Sequence, residues 1–296
     1  MRRVTLASGI ELDVLEAGPA DAPALVFLHG FPESHRTWRR QIAHFADRFH
    51  CIAPDQRGYR GSSKPQDVDS FTPDKLIGDI FQLADALGLE TFTVLGHDWG
   101  GAIAWGVALF GQASGRVTRA VIANAPHPAI FPRLLYLDPG QRAASQYMRE
   151  FRDPANDKVV RERGLGGLLF KAVRWDRTPA LEMEERDALL ADWKDREAAF
   201  AMLNWYRATP LAVPALDEPY ALPDAWREPT LPRLTIPTLV VWGMEDQALL
   251  PANLDGLDEQ VADLTLVRIP NAGHFIPWEA PEAVNAAIEA FLERTG

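Results

Sequence analysis

GHDWGG, residues 96–101, places Asp98 where an apolar run, TFTVLG (91–96), passes into a helix pattern. A sharp strand-to-helix turn needs small residues on both sides of an exposed side chain, because Cβ atoms there would collide with neighbouring strands. Gly96, Gly100 and Gly101 meet that need. The following helix offers free N–H groups and a positive dipole end, which keep a carboxylate ionised. An ionised carboxylate on such an elbow can act as a nucleophile. Attack on a carbonyl would give an anhydride, so its natural target is saturated carbon, where it forms an alkyl ester. Two further readings stand on this stretch alone: Gly-rich strand-to-helix turns also cradle phosphates, and an Asp there can be a helix cap.

Partner groups narrow the choice. HGFPE (29–33) directly follows the apolar run ALVFL, and the backbone N–H groups of Phe31 and Trp99 are expected to converge there on a developing oxyanion. His29 and His97 flank these positions and are expected to brace the loops. The base is expected at His274, in NAGHFIPWEAP, just past the run DLTLVRIP. Of the 7 histidines it alone combines a loop after a core strand with a late place in the chain. His35, His44 and His50 sit on or beside helix patterns, and His127 is the second choice. WGMEDQAL offers Glu245 and Asp246 as the acid that orients the base, and the G-x-x-D spacing favours Asp246. The order 98, 246, 274 is nucleophile, acid, base.

The leaving group decides what else is needed. A halide requires only N–H donors, whereas an opening epoxide releases an alkoxide whose conjugate acid has a pKa of about 15.7, near that of water. That oxygen needs a proton, and tyrosine, with a reference pKa of about 10, can give one. Tyr136, Tyr147, Tyr206 and Tyr220 all lie between residues 129 and 232.

These residues must be positioned by a regular scaffold. Short apolar runs, ALVFLHG (24–30), HCIAPD (50–55), TFTVLG and AVIANAP (120–126), read as buried strands. They alternate with helix patterns over 37–47, 71–89 and 100–110, which implies βαβ units and a mostly parallel central sheet flanked by helices. RVTL and IELDVLEAG read as an antiparallel hairpin at its edge. From about residue 128, prolines punctuate helix-like stretches until TLVVWG (238–243), DLTLVRIP and a closing helix, AVNAAIEAFLERT, restore the earlier pattern. The expected organisation is a core over 1–128 and 233–296 with a helical cap inserted over 129–232. A chain of 296 residues that is 47% hydrophobic can bury such a core. A net charge of −11 opposes nucleic-acid or anionic-membrane partners. Cys51 is the only cysteine, so neither an intrachain disulfide nor a cysteine-based metal cluster can form. With no signal-like apolar segment, a cytoplasmic location is expected.

HGFPES (29–34), DQRGYRGSSKP (55–65), GHDWGG, LNWYR (203–207) and NAGHF (271–275) together resemble the epoxide hydrolases of the α/β-hydrolase fold, over essentially the whole chain including the cap. HGFPE and GHDWGG are shared with related dehalogenases, and LNWYR is the more particular signal. The resemblance implies that Tyr206 and an early-cap tyrosine, Tyr147 in SQYMREF with Tyr136 as substitute, protonate the epoxide oxygen. It also implies a cis Phe31–Pro32 peptide. Haloacetate dehalogenases carry Arg after the nucleophile where this chain has Trp99, and many haloalkane dehalogenases have Asn where it has Phe31. The expected activity is conversion of small or medium, largely apolar epoxides to vicinal diols, with water as co-substrate and with neither metal nor organic cofactor. A dehalogenase, or a ligand receptor on the same fold, is the alternative. Selectivity is expected to depend on how Trp175, Trp205 and Leu203 pack. Oligomeric state is left open.

Overall fold

The apolar runs become strands whose two faces are both covered. The computed structural model describes residues 1–172, 181–224 and 231–296. Its strands are β1 (Arg2–Thr5), β2 (Glu11–Ala17), β3 (Ala24–Leu28), β4 (His50–Pro54), β5 (Phe92–His97), β6 (Val117–Ala123), β7 (Thr238–Gly243) and β8 (Leu264–Ile269). They form one eight-stranded sheet in the order β1-β2-β4-β3-β5-β6-β7-β8. β2 runs antiparallel to both β1 and β4, and every other neighbouring pair is parallel. This is the α/β-hydrolase fold, with the expected hairpin at its edge.

Side chains alternate across each central strand. In β3, Leu25 and Phe27 join a core with Trp38, Phe45, Val284 and Ile288, whereas Val26 and Leu28 join the opposite core with Ile80, Ile103 and Trp105. Burial on both sides is why these strands read as unbroken apolar runs. The helices that supply the cover are α1 (Arg39–Phe45), α2 (Pro73–Ala86) and α3 (Asp98–Gly111), followed between β6 and β7 by α4 (Phe131–Leu137), α5 (Pro139–Ala144), α6 (Tyr147–Arg152), α7 (Asp157–Ala172), α8 (Met183–Asp192) and α9 (Arg196–Ala208). The short α10 (Leu257–Gln260) and α11 (Ile276–Glu279) and the long α12 (Pro281–Thr295) complete the chain. The helix expected over 37–47 is divided: a 3-10 turn, His35–Trp38, capped by Ser34, precedes α1. Among the described residues, no helix is long and apolar enough to cross a membrane.

The helices between β6 and β7 are fastened onto the core by polar contacts. The Trp193 indole donates to Pro32 O at 2.9 Å, and the Trp205 indole to Arg57 O at 3.0 Å. Arg60 pairs with Asp192 at 2.8 Å and Arg36 with Glu185 at 2.8 Å. α7 is kinked at Gly164, which has a φ of 76°, and Leu165 N–H there donates to Trp193 O. Trp175 lies outside the described residues.

The elbow between β5 and α3 depends on close backbone approach. A Cβ at Gly100 would strike the carbonyls of Leu28 and His29, and one at Gly96 would strike Gly100 O, so α3 could no longer lie against β3 and β5. Gly100→Ala is therefore expected to lower stability by about 1–3 kcal/mol, the usual cost of overpacking. The fall should appear as a lower Tm in thermal unfolding, and an unchanged Tm would contradict this packing.

Candidate active site

Four strand ends deliver the polar groups to one edge of the sheet, the carboxyl edge at which open α/β sheets place their sites. Asp98 is the first residue after β5 and has φ 51°, a left-handed backbone that a non-glycine residue holds only under local strain. Phe31 follows β3, Asp246 follows β7 and His274 follows β8. Phe31 N–H donates to Asp98 Oδ1 at 2.7 Å, and the Phe31–Pro32 peptide is cis. Asp98 Oδ2 lies 3.4 Å from His274 Nε2, and His274 Nδ1 donates to Asp246 Oδ2 at 2.7 Å. The structure thus brings together Asp98, Asp246, His274 and the Phe31 and Trp99 backbone.

Asp246 is buried and Glu245 is exposed, which separates the two acids that the sequence offered. Asp246 Oδ1 accepts from Ala248 N–H at 2.8 Å and Leu249 N–H at 2.9 Å. Its Oδ2 takes a second donor besides His274, Asn124 Nδ2 at 2.7 Å. Asn124 also accepts from Gly243 N–H at 2.7 Å, so it clamps the end of β7 while holding the acid. Sequence reasoning missed it. The one signal available is an Asn at a strand end, where the φ of 39° observed here is tolerated.

Burial and charge oppose each other in the site. Burial alone would raise the Asp98 pKa, but His274, His97 and the Trp99 backbone N–H outweigh it and hold Asp98 below the usual carboxylate range. Burial alone would lower His274, but the carboxylates of Asp246 and Asp98 hold it well above the ordinary imidazole value. Burial raises the phenols of Tyr206 and Tyr147, and nearby Asp98 raises both further.

The remaining histidines have structural partners. His29 Nε2 accepts from Gln56 N–H at 3.1 Å, so its Nδ1 carries the proton and donates to Gly30 O at 2.9 Å. Burial lowers its pKa and favours that neutral form. His97 Nε2 donates to His274 O at 2.8 Å and braces that loop from behind, with Glu33 3.3 Å from its Nδ1. His127 is buried, which lowers its pKa to about 4, and its Nδ1 accepts from Ala129 N–H.

Above Asp98 lies a cavity of about 300 Å³. Phe71, Leu76, Ile103, Phe131, Met148 and Leu211 supply much of its apolar wall, and Tyr147, Tyr206, Trp99 and Asp98 form its polar end. The Tyr206 ring packs edge-on against Phe31, Trp99 and Phe151 at 5.0, 5.1 and 5.0 Å between centroids. Tyr147 lies 6.2 Å from it, on α6. Tyr136 does not line the cavity, and Tyr220 is exposed under the Arg142 guanidinium. Trp205 lines the cavity, whereas Leu203 is packed in the core behind it. No charged side chain other than Asp98 lines the cavity among the described residues, which suits an uncharged, apolar ligand.

The chain matches the alpha/beta hydrolase fold family over residues 23–281. It is 34% identical to the AB hydrolase superfamily protein YfhM of Bacillus subtilis (strain 168), over 97% of this chain and 96% of that one. Among solved structures it is similar to one of the epoxide hydrolases from metagenomes of hot environments, at 67% identity, a TM-score of 0.96 and coverage of 98% of this chain and 97% of that one. It is also similar to the inhibitor-bound Bacillus megaterium epoxide hydrolase, at 30% identity, a TM-score of 0.86 and coverage of 99% and 100%.

The Asn124 clamp can be tested without reference to any reaction. Asn124→Ala leaves Gly243 N–H and Asp246 each short of a buried partner, and should cost about 1–3 kcal/mol. Asn124→Asp should cost more at neutral pH, because it sets a second carboxylate against Asp246. Protonation relieves that repulsion, so the gap between the two variants should narrow as pH falls from 7 towards 5. Thermal unfolding across that range reads both effects.

Proposed function

The chain belongs to the epoxide hydrolases of the alpha/beta hydrolase fold family, and we propose that it opens its substrate in two covalent steps at Asp98. In the first, Asp98 Oδ2 attacks a ring carbon and forms an alkyl ester while Tyr206 and Tyr147 protonate the departing alkoxide oxygen. In the second, His274 removes a proton from water as that water attacks the ester carbonyl. Oδ1, held by the N–H groups of Phe31 and Trp99, becomes the oxyanion. His274 returns its proton to the departing diol oxygen, and the remaining proton of the new carboxyl restores the phenol. The segment over 129–232 acts as the cap that brings the tyrosines over the nucleophile.

The observation that carries this reading is the placement of a carboxylate, a buried phenol and a half-buried one in one apolar cavity. Phenols raised by burial keep their protons until a stronger base such as an alkoxide forms beside them. A halide would have no use for them, which favours the epoxide over a dehalogenase substrate. Esterification also removes the negative charge of Asp98, one of the two carboxylates that hold His274 protonated. His274 thereby gives its proton to solvent before the water attacks, and takes one back when hydrolysis restores the Asp98 carboxylate.

Two sets of measurements test the steps. Alkylation needs ionised Asp98, whose pKa is lowered, so it persists into acid. Hydrolysis needs neutral His274; in the ester the Asp98 charge is gone but the Asp246 carboxylate still favours the charged imidazole, so hydrolysis is lost as pH falls through the value that His274 has in the ester. Acid-quenched enzyme analysed by mass spectrometry should therefore carry more substrate on the Asp98 peptide as pH falls from 8 to 6, and most in His274→Gln. No adduct under either condition would contradict the covalent route. Tyr147→Phe/Tyr206→Phe should lower the alkylation rate about 100-fold or more, the scale of lost general-acid catalysis.

A further inference from the structure

Gln141 lies on α5, six residues before Tyr147, and has no exposed surface. Its side-chain amide is fully engaged. Nε2 donates to Ala248 O at 2.8 Å and to Ser145 Oγ at 2.9 Å, while Oε1 accepts from Leu250 N–H at 2.9 Å and Asn253 Nδ2 at 2.7 Å. Ala248 and Leu250 flank Leu249 in the loop after β7, and the N–H groups of Ala248 and Leu249 grip Asp246 Oδ1. Ser145 stands two residues before Tyr147 in the chain. One buried amide therefore joins the turn that leads into the Tyr147 helix to the loop that holds the acid.

We propose that Gln141 is a positioning residue, which fixes the Asp246 loop against the base and sets it in register with Tyr147. The inference rests on the reading of Asp246 and His274 as acid and base. An amide suits this place because it donates and accepts at once. A carboxylate would repel Ala248 O, and an apolar side chain would leave two N–H donors and two acceptors buried without partners. The neighbouring Arg142 is equally buried but works elsewhere, donating to the carbonyls of Leu135, Tyr136, Glu218 and Pro219. It therefore serves as an internal comparison.

The readout is the basicity of His274. Its neighbours are Asp246 after β7, Asp98 at the start of α3, and His97 at the end of β5 with Glu33 behind it. Glu279 of α11 accepts from Gly273 and Phe275 N–H on the base's own loop. Tyr147 and Tyr206 face the same cavity. Of these groups, only Asp246 is held by the loop that Gln141 grips. Loosening that loop weakens the carboxylate that keeps His274 charged, so the midpoint of hydrolysis must move to lower pH.

The experiment measures single-turnover ester hydrolysis against pH in the full chain, with styrene oxide as the probe. In Gln141→Met the midpoint should fall by more than about 0.3 unit, a twofold change in the proton affinity of His274. Gln141→Leu, which adds no charge near His274, should move it in the same direction and serves if the Met variant does not fold. Arg142→Met should lower Tm and leave the midpoint in place. A smaller shift in the Gln141 variants, or an equal shift in Arg142→Met, overturns the proposal. Asp246→Asn separates the two levels. Unchanged hydrolysis in that variant would refute the acid–base reading itself, whereas slow hydrolysis there with an unmoved Gln141 midpoint refutes only the role of Gln141.

Discussion

The hydrogen bond from Phe31 N–H to Asp98 Oδ1, 2.7 Å long, is the contact on which the rest of the site depends. It fixes one carboxylate oxygen against a backbone donor and turns the other towards His274. The bond requires the loop after β3 to lie directly against the turn after β5. A Cβ at Gly30 would collide with the Asp98 side chain, so glycine at that position is what permits the approach. The same approach pushes Asp98 into a left-handed backbone, a cost of about 1–3 kcal/mol that the surrounding core must absorb. The two faces of β3 and β5, each packed into its own apolar core, hold the turn in that shape.

Burial then sorts the titratable groups. All of them sit in surroundings that disfavour charge, and their partners decide which remain charged. Asp98 and His274 face each other, with Asp246 behind the imidazole, and stay ionised against the effect of burial. Tyr147 and Tyr206 meet mainly apolar rings and a nearby carboxylate, and stay neutral. One low-dielectric cavity thus holds a carboxylate that keeps its charge and phenols that keep their protons, with no group unusual in itself.

What the sequence revealed follows from how locally each feature is encoded. The central strands were legible because burial on two faces leaves an unbroken apolar run. Asp98 was legible because an elbow needs its glycines within a few positions, and His274 because it lies on the short loop just past a strand. Asn124 and Gln141 were not legible, because each acts on partners more than 100 residues away and nothing next to them in sequence marks that contact. The choice between Tyr147 and Tyr136 likewise needed the fold: both lie early in the same helical stretch, and only Tyr147 turns into the cavity. The 3-10 start at His35–Trp38 escaped a helix pattern read by periodicity, since one tight turn leaves no period to detect.

The central claim is that an oxygen of Asp98, and not an oxygen of water, enters the product first. A single turnover of excess enzyme with a styrene oxide-like epoxide in ¹⁸O-labelled water tests it most directly. The account predicts that the first diol is unlabelled and that the label appears in the carboxylate of Asp98. Label in the diol from that first turnover would contradict it.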